Sequence, residues 1–157
     1  MLLLTVLLVL PLPRLQAQAH PGCTVTPVAL AQMRGCYRPL LVFAPTAADR
    51  RLAAQRQALD EAADDMMDRN LLLVPITDST KGFDAPLDAP YALFPAAEQA
   101  AARARFDVSP GRFLVLLLGE DGGVKLRSSS PVSVDRLNAL IDSMPTRKRE
   151  MQRAHAN

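Results

Sequence analysis

The chain has 157 residues, with 18 Lys and Arg against 16 Asp and Glu and a formal net charge of +2. So small a charge gives no general attraction to a phosphate backbone, and a nucleic-acid partner is not predicted. A chain of this length forms one domain that buries roughly two thirds of its unfolded surface. A second domain is not required.

The start of the chain has the pattern of a secretory signal peptide. Residues 2–10 are apolar with one exception, and residues 17–19 (AQA) supply the small residues of a cleavage site. The apolar run is shorter than the ~20 residues of a membrane-spanning helix. We therefore predict a leader at residues 1–19, export to the periplasm or the extracellular space, and a mature chain without a transmembrane segment. Lipidation of Cys23 is an alternative.

An N-terminal extension, residues 20–38, holds the two cysteines of the chain, Cys23 and Cys36. Disulfides persist in exported proteins, so we predict a structural bridge between them. Such a bridge stabilises a fold by roughly 3 kcal/mol. Free thiols and an intermolecular bridge are the alternatives.

Two apolar runs, residues 39–44 and 71–76, have the composition of strands that are buried on both faces of a sheet. A predicted helix lies between them, with Thr46 as its N-cap and Arg69 at its end. Its apolar stripe recurs at helical spacing and comprises Leu52, Leu59, Ala63 and Met66. This order predicts two parallel strands joined by a right-handed crossover.

Residues 77–95 contain Gly and Pro residues and no periodic pattern. A loop of this length in a compact domain is functional or mobile. We therefore select it as a candidate partner-binding segment, through Lys81, Phe83 and Tyr91.

The second half of the chain begins with an Ala-rich predicted helix, residues 96–105, followed by two short strands at 113–118 and 124–128. Gly122 and Gly123 between the strands allow the positive φ of a hairpin turn, so the strands are predicted to be antiparallel. The same glycines resemble a phosphate-binding loop in composition, but their spacing and position differ from it. No cofactor is predicted.

The last predicted helix begins after Ser133, and Pro145 ends it. Its apolar stripe comprises Leu137, Leu140, Ile141 and Met144. Residues 146–157 then form a solvated basic tail. Arg147, Lys148 and Arg149 of this tail are candidates for contact with an unidentified envelope protein or with an acidic surface such as lipid headgroups.

The order β-α-β, loop, α-β-β-α over residues 39–145 predicts an α/β, thioredoxin-like fold, with a mixed sheet of about four strands and flanking helices. Three motifs, residues 40–45 (LLVFAP), 113–128 (FLVLLLGEDGGVKLRS) and 141–151 (IDSMPTRKREM), resemble the bacterial domain of unknown function 4174. That family is thioredoxin-like and related to domains of vertebrate sushi-repeat extracellular matrix proteins. The resemblance implies an exported domain with a redox or adhesion role, and it assigns no catalytic residue.

Thioredoxin-like enzymes place a reactive cysteine where the first strand meets the next helix, because the helix N-terminus lowers the pKa of the thiol. Here residues 44–49 (APTAAD) contain no sulfur, and both cysteines precede the first strand. The two histidines lie far apart in the sequence, so no metal site is predicted. We predict no catalytic residue and favour a binding or accessory module of the cell envelope. A thiol oxidoreductase or peroxiredoxin-like enzyme that uses Cys36 with Cys23 is the alternative.

Overall fold

A computed structural model describes residues 22–78 and 82–156 of the chain. The predicted leader, residues 1–19, lies outside these residues, and so does Lys81. The described strands and helices are β1 (Arg38–Phe43), α1 (Arg50–Asp60), α2 (Ala63–Asp68), β2 (Leu71–Ile76), α3 (Ala96–Phe106), β3 (Leu114–Leu118), β4 (Val124–Ser128), α4 (Val134–Ser143) and α5 (Pro145–His155). A short 3₁₀ helix, Leu30–Met33, precedes β1.

The sheet of the described residues has four strands in the order β2-β1-β3-β4. β1 and β2 pair in parallel over their whole length. β1 pairs with β3, and β3 with β4, in antiparallel orientation. The predicted α/β fold is therefore confirmed, including the parallel crossover unit and the hairpin.

Helices cover both faces of the sheet, and each face has its own apolar core. On one face, α1, α2 and α4 contribute Leu52, Met66 and Leu137 to a cluster beneath them. On the other face, the 3₁₀ helix and α3 contribute Met33 and Ala102 to a second cluster. All residues of β1 and β2 are buried, as strands covered by helices on both faces of the sheet require.

The predicted crossover helix is interrupted, and it starts later than expected. Its N-cap is Asp49 rather than Thr46. The backbone N–H of Ala62 donates to the carbonyl of Leu59, an i to i−3 bond that tightens the end of α1 before α2 begins. The whole predicted apolar stripe is nevertheless buried on one face.

Residues Pro145–His155 form a helix, α5, which the sequence analysis did not predict, and most of its side chains are exposed. Pro145 does end α4, since proline has no N–H to continue the helix. The same property suits the first position of a new helix, where the N–H has no intrahelical partner, and Pro145 occupies that position in α5. The stripe of α4 is buried at Leu137 and Ile141, whereas Leu140 is only partly buried.

Candidate functional site

The end of β1 meets the end of β2 and the start of β3 at one edge of the sheet. Phe43, the last residue of β1, pairs with Ile76 of β2 and with Leu114 of β3. Open α/β sheets bind ligands at the carboxyl ends of their parallel strands. We define this carboxyl edge by residues 44–49, 76–78, 107–114 and 127–129.

The junction between β1 and α1 carries a carboxylate in place of a thiol. Oδ1 of Asp49 accepts the backbone N–H of Arg51 at 2.8 Å. The Arg51 guanidinium donates to both carboxylate oxygens, at 3.0 and 2.7 Å, and its Cζ lies 4.4 Å from the centroid of the Phe113 ring. Hydrogen bonds from the Arg51 side chain hold the pKa of Asp49 below its usual value. An ionised carboxylate therefore occupies the helix N-terminus, where a thioredoxin-like enzyme places its thiolate.

Arg103 of α3 forms hydrogen bonds with the backbone at the ends of the two parallel strands, β1 and β2. Its Nη2 donates to the carbonyl oxygens of Ala44 and Ile76, at 3.2 and 3.3 Å. The same atom lies 3.4 Å from Oδ1 of Asp78. The carbonyl of Ile76 also accepts the backbone N–H of Ala44 at 3.0 Å, so the guanidinium adds a side-chain bond at the point where the two strands end.

Gln99, one turn before Arg103, forms hydrogen bonds with Thr77 and Phe94, near the two ends of the segment that follows β2. Its Oε1 accepts the backbone N–H of Thr77 at 2.8 Å, and its Nε2 donates to the carbonyl of Phe94 at 2.9 Å. Sequence analysis missed both residues. Their spacing of one helical turn within an Ala-rich helix is a signal that places them on one face, where they meet the sheet.

A cavity of about 320 Å³ opens at the carboxyl edge, between the loop before β3 and the end of β4. It is lined by Asp107, Val108, Ser109, Arg112, Leu114, Arg127, Ser128 and Ser129. Val108 and Leu114 are buried members of the core on the α3 face, so part of the wall is apolar. Arg112 and Arg127 are exposed. Sequence analysis did not select either arginine.

The structure joins Cys23 to Cys36 in a disulfide with a Cα–Cα distance of 5.8 Å. The predicted structural bridge is therefore confirmed, and the described residues contain no free cysteine. Cys36 lies two residues before Arg38, the first residue of β1, so the disulfide is near the start of that strand. The carboxyl edge is at the other end of that strand, ~20 Å away at 3.3 Å per residue.

The segment after β2 is anchored along the outer edge of that strand. The carbonyl of Pro90 accepts the backbone N–H of Leu73, and the backbone N–H of Ala92 donates back to the carbonyl of Leu73, at 3.1 and 2.9 Å. The carboxylate of Asp60 accepts the backbone N–H groups of residues 87–89 at 2.8–3.0 Å. These hydrogen bonds hold the pKa of Asp60 below its usual value. The segment thus shields the exposed edge of β2.

Two of the three residues selected in this segment lie together. The ring centroids of Phe83 and Tyr91 are 6.2 Å apart. Phe83 packs against the core, whereas Tyr91 is 40% exposed beside Leu93, also 40% exposed. Leu87 on the same segment is 91% exposed. An apolar surface is therefore available here, while the role of Phe83 and Tyr91 in partner binding stays a prediction.

The basic residues selected on the tail are divided by α5 between two environments. Arg147 is buried and pairs with the carboxylates of Asp68 and Asp142. Its charge is used within the domain, so its placement on a solvated tail was wrong. Lys148 and Arg149 are exposed, and their contact with an acidic surface stays a prediction.

A second buried arginine, Arg38, holds α5 against the start of β1. Its Nη2 lies 2.7 Å from Glu150 and 3.1 Å from Glu120, and its Nη1 donates to the carbonyl of Arg69 at 2.8 Å. Burial raises the pKa of Glu150, but hydrogen bonding and charge from Arg38 outweigh it and leave that pKa below its usual value. We call Arg38, Glu120, Arg147 and Glu150 the Arg38 cluster. It gives Arg147 and Glu150 of the 141–151 motif a structural role.

Over residues 22–78 and 82–156, no helix is long and apolar enough to cross a membrane. In the same residues, no three or more His, Cys, Asp or Glu side chains are grouped so as to hold a metal ion.

A family model described as a domain of unknown function (DUF4174) matches residues 29–150. No curated protein matches the chain at a significant level. The fold is similar to that of two solved malarial enzymes. A reduced 2-Cys peroxiredoxin of Plasmodium vivax matches with a TM-score of 0.56 and 18% identity, covering 76% of this chain and 84% of that one. Thioredoxin peroxidase I of Plasmodium yoelii matches with a TM-score of 0.56 and 21% identity, covering 76% and 79%. At these identities the likeness establishes a thioredoxin-like fold alone.

Proposed function

Because the chain belongs to the family of domain of unknown function 4174, whose name assigns no activity, we propose a function from its own geometry. In this proposal the protein is an exported, thioredoxin-like binding or accessory module of the cell envelope that performs no thiol chemistry. The carboxyl edge and the segment at 77–95 are its recognition surfaces.

The observation that carries this proposal is the carboxylate of Asp49 at the N-terminus of α1. A helix N-terminus activates a cysteine by stabilising the negative charge of the thiolate. Here that position already holds a negative charge, which the Arg51 guanidinium neutralises through two hydrogen bonds while the backbone N–H of Arg51 donates a third. The two cysteines are bonded to each other at the far end of β1. Neither half of a thioredoxin-type site, the thiol or the free helix end, is present at the junction.

Two further features support export. The apolar run and cleavage pattern of residues 1–19 are those of a secretory leader. A disulfide between Cys23 and Cys36 persists in an oxidising compartment and is rare in the cytosol. N-terminal sequencing of the protein recovered from the envelope tests this part. A mature N-terminus at His20 supports export with cleavage, whereas an intact leader in the cytosolic fraction contradicts it.

The absence of thiol chemistry is tested with the full chain and a Cys23→Ser/Cys36→Ser variant in peroxide-reduction and insulin-reduction assays. We expect no catalytic turnover from either protein. Asp49→Cys is a matched variant that places a thiol at the end of α1, and alkylation of this thiol at pH 7 reports whether the helix end can activate sulfur. Turnover by the natural chain that disappears in the double variant, with the fold intact by circular dichroism, would establish the oxidoreductase alternative and reject our proposal.

The binding role is tested by crosslinking in cells followed by mass spectrometry. Leu87→Glu places a charge on a side chain that is 91% exposed and makes little contribution to the core. We expect it to reduce the yield of a specific crosslinked partner and to leave stability unchanged. Arg136→Glu on the exposed surface of α4 is the control. A partner captured equally by all three proteins would place recognition elsewhere.

A further inference from the structure

The cavity at the carboxyl edge has a rigid wall. Residues Ser109, Pro110, Gly111 and Arg112 form a tight turn in which the N–H of Arg112 donates to the carbonyl of Ser109 at 3.3 Å. Proline at the second position and glycine with φ +76° at the third are the residues that a type II turn requires. The backbone of Arg112 is therefore fixed before any ligand arrives.

The opposite wall is part of the sheet. Along β4, Leu126 is buried in the core under α1 and α4. Side chains of a strand alternate between faces, so Arg127 lies on the other face, where it pairs in register with Leu116 of β3. Arg112 and Leu114 alternate with Phe113 in the same way, which brings Arg112 and Arg127 to one cavity from two separate elements.

These two arginines differ from the buried and partly buried arginines of the domain. Arg38, Arg69, Arg103 and Arg147 each bind carboxylates of the chain. Within the described residues, the guanidinium groups of Arg112 and Arg127 make no hydrogen bond or ion pair. The hydroxyl groups of Ser109 and Ser129 at the same cavity are likewise not hydrogen-bonded to described residues.

The charged side chains around the cavity favour a negatively charged ligand. Arg112 and Arg127 outweigh the one carboxylate of the lining, Asp107. Guanidinium groups bind carboxylate and phosphate oxygens through paired, charge-assisted hydrogen bonds. The cavity volume of about 320 Å³ is at the small end of the range of ~300–1,000 Å³ for ligand pockets. Val108 and Leu114 add an apolar surface for a carbon skeleton.

From this arrangement we infer that the cavity is a binding site for a small organic anion. Its carboxylate or phosphate group lies between Arg112 and Arg127, with hydrogen bonds from Ser109 and Ser129, and its apolar part lies against Val108 and Leu114. The inference rests on the proposed function, since it specifies what the carboxyl edge of a binding module recognises.

Calorimetric and NMR titrations of the full chain with benzoate and phenyl phosphate test the site at constant ionic strength. The two probes share a ring and differ in their anionic group, so the preferred probe identifies the group that the site accepts. Benzyl alcohol is the uncharged control. We expect saturable binding of at least one anion, with amide shifts at Gly111 and Arg127. Arg112→Gln and Arg127→Gln should each weaken binding at least ~10-fold. Arg136→Gln, which removes an exposed charge outside the cavity, should change affinity less than ~2-fold.

Two results would overturn the inference. One is the absence of saturable binding of either anion up to ~10 mM, the range of the weakest specific affinities. The other is equal affinity in the natural chain and in both cavity variants. These outcomes are separable from failure of the proposed function, because thiol-dependent turnover is measured without any anion and does not involve Arg112 or Arg127.

Discussion

Arg38→Met should destabilise the domain strongly, because it removes the one cation of the Arg38 cluster that pairs with both Glu120 and Glu150 and leaves only Arg147 beside Glu150. The Arg38 side chain is fully buried, and those of Glu120 and Glu150 are 12% exposed. Little water can therefore reach the carboxylates when the guanidinium is lost. Methionine fills a similar volume, so the effect measures the charge and its hydrogen bonds rather than a cavity.

The magnitude follows from the cost of breaking a buried ion pair, about 3–5 kcal/mol when one partner is removed. Arg38 also donates to the carbonyl of Arg69 and to Thr146, at 2.8 and 3.2 Å. These groups lose their partner as well. We expect the free energy of unfolding to fall by about 3–5 kcal/mol, a large share of the ~5–15 kcal/mol that stabilises a typical domain.

The assay is urea denaturation at pH 7, followed by far-ultraviolet circular dichroism. Arg149→Met is the matched control, since it removes the same group from the exposed face of α5 and should change the free energy by less than ~0.5 kcal/mol. An Arg38→Met variant within ~1 kcal/mol of the natural chain would refute the reasoning, because the cluster would then contribute no more than a surface ion pair.

Leu137→Asp should destabilise the domain by more than ~3 kcal/mol, measured as a shift in urea midpoint, since Leu137 is fully buried. Cys23→Ser/Cys36→Ser should cost roughly 3 kcal/mol in the same assay, and an unchanged midpoint would show that the bridge restricts nothing. Glu150→Gln should lower the free energy of unfolding most above pH ~4.3, the pKa of the unfolded group, because the pKa of Glu150 is lowered in the folded state. The difference from the natural chain should disappear as the pH falls through the folded pKa, and a difference that grows toward low pH would contradict this. Asp60→Asn weakens the acceptor of three backbone N–H groups, so limited proteolysis should cut residues 82–95 faster, and an unchanged cleavage rate opposes the anchoring role.

Local signals in the sequence predicted much of the fold. The apolar run at residues 71–76 coincides with β2, because a strand buried on both faces leaves no polar residue inside its limits. Gly122 and Gly123 predicted the hairpin because its turn needs a positive φ, which glycine adopts readily, and Gly122 has φ +76°. The cysteine pairing followed from there being two cysteines and a predicted export signal.

The missed features depend on contacts between distant residues. Arg38 and Glu150 are 112 positions apart, so no local pattern shows that a charged residue inside a strand meets one on a helix that begins at a proline. The cavity arginines come from a turn and from an edge strand that only the antiparallel pairing of β3 and β4 brings together. Leu140 illustrates the limit of helical periodicity: it shares the stripe of Leu137 and Ile141, yet the neighbouring elements leave it partly exposed.

The positions of the disulfide and of α5 also determine how the domain would present itself if tethered. The Cys23–Cys36 bridge fixes the N-terminal extension near the start of β1, and Arg38 fixes α5 to the same end of that strand. A tether through the N-terminal extension or through α5 would therefore hold the domain from the side where β1 begins. The cavity with Arg112 and Arg127 lies a full strand length away, ~20 Å, and would point outward, accessible to molecules that diffuse past a surface.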